Sequence, residues 1–187
     1  MEGAVGPGTF LIANPTLRDP NFLRTVVLLC EHNEQGSMGL IVNRPSEAKL
    51  ADALSVTVPL KSEEHLFVGG PVQPDSLLVL HRVAKTIPGA KPIADGIAFG
   101  GDMEALLGLL AVPRNDTGDR VRVYAGYSGW GAGQLDQELE AGGWITCNAE
   151  ARFVFDVEPS RVWIEVLRSL GEEYAHLATM PLDPRVN

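Results

Sequence analysis

Apolar residues fall along this chain in short runs punctuated by proline, glycine and asparagine. The first run, residues 9–13, is closed by Asn14-Pro15 and reads as a buried strand. Residues 25–31 and 37–43 are apolar at nearly every position, so they predict two strands covered on both faces. The link between them, 32–36, ends in Gly36, which makes a hairpin the simplest connection. Residues 18–23 read as a turn or a single helical turn started by Pro20.

Further on, Pro45-Ser46 opens a predicted short helix, with Leu50, Ala53 and Leu54 on one stripe and Ser46 as its N-cap. Residues 65–68, 76–81 and 97–99 predict strands. Asp102 caps a helix that turns Met103, Leu106, Leu107 and Leu110 inward and ends before Pro113. Residues 120–125 alternate and predict a strand with one wet face. A glycine-rich turn, 126–133, then leads into a helix over 134–141 stopped by Gly142-Gly143. Residues 144–147 and 153–155 predict late strands. Residues 160–170 form the clearest amphipathic helix, with Val162, Trp163, Val166, Leu167 and Leu170 on one side and Gly171 after it. Two prolines make 180–184 extended. Strands and helices are mixed rather than strictly alternating, which predicts a single α+β domain over 1–187.

Composition adds a constraint on partners. Of 187 residues, 45% are hydrophobic and 21% charged, as in an ordinary globular domain, but the formal charge is -9. Residues 126–187 hold ten acids against Arg152, Arg161, Arg168 and Arg185, and so supply -6 of it. This balance disfavours direct nucleic-acid binding and a polybasic membrane contact. No apolar run approaches the ~20 residues that span a bilayer. The first residues lack the basic start and apolar core of a secretory signal, so a cytoplasmic location is expected. Cys30 and Cys147 are far apart in sequence and are expected as two packed thiols.

The segment Gly126-Tyr-Ser-Gly-Trp-Gly-Ala-Gly-Gln134 is the strongest local feature. A strand, glycines and a helix N-terminus are the parts of an anion site. Yet the segment matches neither phosphate-binding glycine pattern, has no lysine, and carries Asp136, Glu138 and Glu140 close behind it. The residues favour a structural role in which the glycines let Tyr127 and Trp130 pack closely. A nucleophile elbow at Ser128 fails because Trp130 stands where the last glycine belongs. His32, His65, His81 and His176 are scattered without metal-ligand spacing, so no metal and no cofactor are expected.

Two further strand ends carry candidate residues, Asn43-Arg44 and Gly69-Gly70. Arg44 suits a binding role, as an anion clamp or the partner of a buried carboxylate, or equally a structural one, as an ion pair that fixes its turn. With Tyr127, Trp130 and Gln134 these make up the candidate ligand- or partner-binding groove, and no catalytic residue is assigned.

Several blocks together resemble the AlgH/YqgE family of bacterial proteins. They are residues 10–15, 30–33, 38–45, 69–72 and 126–135, followed by Trp144, the Trp163 helix and the Pro181-Leu-Asp-Pro184 end. Where the family often has Met and Ala, this chain has Asn14 and Ser128. The resemblance implies an α+β domain whose bent, branching sheet curls into a pseudo-barrel flanked by helices. It brings a transcriptional-regulator label through a link to alginate production, but no reaction, cofactor or catalytic set. The expectation is therefore a cytoplasmic, non-enzymatic binding or regulatory protein with an unknown protein or small-molecule partner. The alternative is an enzyme acting on a small anionic substrate held by Arg44, with His32 as the nearest base. Direct DNA binding finds neither a helix-turn-helix nor a basic stripe in the sequence.

Overall fold

The computed structural model describes residues 4–54, 65–82, 85–111 and 121–180. Its first strands follow the apolar runs: β1 (Thr9–Ala13), β2 (Val26–Asn33) and β3 (Gly36–Ile41). The single turn at Pro20–Phe22 is 3-10, with the Asp19 side chain accepting from the Asn21 N–H. Phe10, Ile12, Val26, Leu28 and Leu40 face one side of this sheet, and Leu11, Ala13, Val27, Leu29 and Ile41 the other. Both faces are covered, which is why the runs do not alternate. Each such aliphatic side chain withdrawn from water contributes about 1.5–3 kcal/mol.

The strand order is β10-β1-β2-β3-β9-β6-β8-β7, with β5 also paired to β9 and β4 to β5. The later members are β4 (Pro45–Lys49), β5 (His65–Val68), β6 (Val72–His81), β7 (Lys91–Ala94), β8 (Ile97–Phe99), β9 (Val121–Gly131) and β10 (Trp144–Asn148). The sheet curls until β7 approaches β1 and β2. A Cβ at Gly8 would lie 2.2 Å from the Ile93 carbonyl oxygen, and Lys91 Nζ is 3.5 Å from Glu31 Oε1. The result is a half-barrel.

Helices cover it in three places. α1 (Leu50–Leu54) and α2 (Met103–Ala111) share a cluster with Val79, Val121 and Val123. Asp102 Oδ1 accepts the Ala105 N–H at 2.9 Å, the expected cap. α3 (Gln134–Glu140) lies over Trp130 and Trp144. α4 (Ala151–Phe155), α5 (Pro159–Ser169) and α6 (Glu172–Ala175) pack on the main core. Trp163 Nε1 donates to the Ala13 carbonyl at 2.9 Å and fixes α5 to β1.

Three expectations are corrected. Pro45 and Ser46 do not open a helix: Pro45 pairs with Phe67 in β4, Ser46 Oγ accepts the Ala48 N–H at 3.2 Å, and the helix starts at Leu50. Residues 153–155 lie in helix α4, where all three side chains are buried. The segment from 126 is no turn, because β9 continues through it to Gly131. The expected stop at Pro113 and the extended residues after 180 lie outside the described residues.

Candidate functional site

The glycine-rich segment is the branch point of the sheet. The first part of β9 pairs with β6 on one side and with β5 on the other, at Tyr124 and Ala125. Its last four residues pair with β3 instead. Gly69 sits in the fork: its N–H donates to Ala125 O, and its carbonyl accepts from Ile41 N, both at 2.9 Å. The buried Ser128 hydroxyl donates to the same carbonyl at 3.0 Å. A Cβ on Gly69 would lie 2.3 Å from Gly126 O, and one on Gly70 2.2 Å from the Tyr127 carbonyl carbon. Three strands converge here at distances no side chain tolerates.

Asn43 and Arg44 serve a different place. Asn43 Oδ1 accepts the Val26 N–H and its Nδ2 donates to Arg24 O, both at 2.9 Å. Arg24 has φ 50°, so Asn43 holds a left-handed residue at the entry to β2. Arg44 Nη1 donates to Asn21 O at 2.6 Å. Burial lowers the pKa of the Arg44 guanidinium, but an arginine stays protonated in a protein. Of the two roles expected for Arg44, the geometry shows it fixing a turn, through a carbonyl rather than a carboxylate.

Trp130 belongs to an aromatic box with Phe22 and Trp144. Phe22 stacks on Trp130 at 5.9 Å between centroids and meets Trp144 edge-on at 5.2 Å. Glu138 Oε2 accepts both indole N–H groups, at 3.0 Å from Trp130 and 2.8 Å from Trp144. Gln134 Nε2 donates to Glu138 Oε1 at 3.0 Å, while its Oε1 accepts the Gly131 N–H at 3.1 Å. Three rings at these separations leave no room for a ligand between them.

Over the paired strands β3 and β9, between the end of β2 and the start of β6, lies an open groove of about 610 Å³. Met38, Val72, Leu78 and Tyr127 supply apolar lining, and Glu31 is the one charged group among the described lining residues. Of the seven candidate residues it includes Tyr127 and Trp130. Asn43, Arg44, Gly69, Gly70 and Gln134 do not line it, and neither does His32. Gly69 and Gly70 instead press on the backbone of Gly126 and Tyr127, and Gln134 ties the start of α3 to Gly131. Sequence reasoning missed Glu31, Met38, Val72 and Leu78. The sequence signal for them was the hairpin at 32–36, which had to place its tip somewhere on the sheet.

The reactive groups are otherwise engaged. His32 Nδ1 and Ser37 Oγ share a hydrogen bond of 2.7 Å, and His81 Nε2 meets Gly100 O at 2.8 Å. Burial pushes the Cys30 thiol far up, with nearby Glu31 adding to it. Burial, then Glu150, pushes Cys147 up to about 11. Both cysteines are free. Phe10 of β1 pairs with Cys147 on one side and Leu28 on the other, so two strand spacings of about 4.8 Å separate the thiols' strands. That exceeds the reach of a disulfide. Among the described residues no three His, Cys, Asp or Glu side chains converge as a metal site would require, and no helix is long and apolar enough to cross a membrane.

Fold and site together define a curled half-barrel α+β domain whose glycine signature is a strand junction. The chain belongs to the AlgH-like family, DUF179, whose profile matches residues 10–175. A UPF0301 protein of Chlorobaculum tepidum is 44% identical over 185 residues, covering 97% of this chain and 95% of that one. One from Streptomyces avermitilis is 40% identical over 191 residues, covering 96% and 94%. The solution structure of the AlgH protein from Pseudomonas aeruginosa superposes with a TM-score of 0.76 at 32% identity over 97% of each chain. The crystal structure of a Corynebacterium diphtheriae protein gives 0.79 at 25% identity, covering 96% of this chain and 95% of that one.

Proposed function

We propose that the protein is a cytoplasmic, non-enzymatic binding or regulatory protein, and that its partner or ligand seats in the groove beside Tyr127. The observation that carries this is the groove's composition. It has an apolar floor of Met38, Val72 and Leu78, the Tyr127 ring, and the Glu31 carboxylate on its wall. Such a lining suits recognition through shape and a few polar contacts. Chemistry finds less support: the Ser128 hydroxyl is buried on Gly69 O, both thiols are raised, and Arg44 is spent on Asn21. An anionic substrate would also meet Glu31, with no Lys or Arg among the described lining residues. The net charge of -9 argues against direct binding to DNA.

The test is retention of partners from a native-cell extract by the immobilised full chain, compared with three variants. Tyr127→Ala and Met38→Glu should lose the retained species, whereas Arg44→Ala should keep it. Equal retention by Tyr127→Ala and Met38→Glu would remove the groove from the reading.

A further inference from the structure

Beyond Tyr127 the edge of β9 away from β3 has no strand partner among the described residues, and the hairpin fixes which backbone groups it offers. β2 and β3 close through the two-residue turn 34–35, so Asn33 and Gly36 form the hydrogen-bonded pair that ends the hairpin. Gly36 thus turns its backbone toward β2, and alternation turns Ser37 and Gly39 toward β9, opposite Trp130 and Ser128. The N–H and C=O groups of Gly129 and Gly131 therefore point out of the other edge. β6 begins on that edge at Val72, opposite Tyr127, and reaches no further. The Gly131 N–H is met by the Gln134 side chain. Gly129 has no backbone partner there among the described residues, and both glycines are exposed.

Natural edges are usually blunted by charge, proline or a covering element. This one has bare glycines and an apolar groove alongside. Among the described residues the groove lining holds Glu31 and no Lys or Arg, in a chain of net charge -9. The pair that Glu31 makes with Lys91, at 3.5 Å, is solvent-exposed on both sides and is readily exchanged for another cation.

We infer that the groove takes an extended, basic polypeptide segment, added as a strand to β9. The segment exchanges backbone hydrogen bonds with Gly129, and its groove-face side chains reach across Gly129 toward Met38, beside Val72 and Tyr127, with a Lys or Arg on that same face turned to Glu31. This rests on the groove being the binding site, and supplies the class of its partner.

The test is a titration of the ¹⁵N-labelled full chain with a capped peptide whose one face carries valine and lysine in turn and whose other face is threonine. The controls are its valine–glutamate counterpart and a valine–lysine peptide N-methylated at alternate residues, made in both registers. With the valine–lysine peptide, the Gly129 amide should shift and its hydrogen exchange should slow. N-methylation in the pairing register should weaken binding about tenfold, as expected for one or two lost backbone hydrogen bonds. Glu31→Gln should weaken it severalfold while leaving the Gly129 protection in place. An unmoved Gly129 amide at millimolar peptide, equal binding of the glutamate peptide, or indifference to methylation in both registers would overturn strand addition. The same spectrum, taken with the species retained in the extract experiment, separates the two readings. Tyr127-dependent retention with an unmoved Gly129 amide leaves the groove standing without the added strand, and Tyr127-independent retention removes both.

Discussion

Trp144 Nε1 lies 2.8 Å from Glu138 Oε2, so an indole from β10 is tied to a carboxylate on α3. Trp130 shares the same oxygen, which makes Glu138 the acceptor for the indoles of two buried tryptophans. Glu138→Ala strands both N–H groups and should cost about 2–3 kcal/mol, the range for losing hydrogen bonds to a charged acceptor. Glu138→Gln keeps an acceptor oxygen and should cost less than half as much. Urea midpoints report the first effect, and a red shift of tryptophan emission reports the loosened box.

Gly70→Ala places a methyl group 2.2 Å from the Tyr127 carbonyl carbon, a contact relieved only by moving backbone. The variant should fail to accumulate as folded protein, or should melt far below the parent. Gly108→Ala is the contrasting case. It lies inside α2 with nothing within 4 Å of the new methyl group, and should raise stability by about 0.5–1 kcal/mol. Thermal melts of the two variants test whether glycine is required for contact or merely present.

Burial lowers the pKa of His81 below its usual range, opposed by the hydrogen bond to Gly100 O. The folded state therefore disfavours the imidazolium. The stability this gives is complete above the unfolded value of about 6.5 and is lost as pH falls below it toward the folded-state value. Urea midpoints taken between about pH 5 and about pH 7.5 should decline on acidification, and His81→Gln should flatten that slope.

Cys147, pushed up to about 11, is almost entirely thiol at neutral pH. Its alkylation by iodoacetamide at about pH 8 should run roughly a hundredfold slower than that of an ordinary thiol. Cys30 should react only after unfolding. Mild oxidation should yield no internal disulfide by intact mass, given the strand β1 between them.

The parts of this fold legible in the sequence are those where burial follows a local period. The runs at 9–13 and 25–31, the Asp102 cap and the Trp163 helix all fall where the pattern puts them. Phe153, Val154 and Phe155 were misread because three consecutive apolar residues carry no period, and a five-residue helix buried at all three looks the same as a strand. The segment after Ala125 was misread for a different reason. Glycine usually ends a strand, but here it permits β5 and β3 to crowd onto β9, a contact between residues far apart in the chain. The candidate site divides the same way. The close packing expected of Tyr127 follows from its glycine neighbours, whereas the groove wall at Glu31 and Met38 depends on where a distant hairpin lands. Arg44 stood out as a scarce cation, and nothing local announced that Asn21 would occupy it.

The branch at β9 also orders events during synthesis. β3 acquires its second neighbour only when residues 128–131 arrive, and β5 and β6 wait for the residues just before them. Most of the chain must therefore leave the ribosome before the sheet can join into one piece. Until then the hairpin of β2 and β3 presents a bare, strongly apolar edge, and such edges invite pairing with other chains. The strand that joins the two parts of the sheet is thus the one whose delay leaves them most exposed to misassembly.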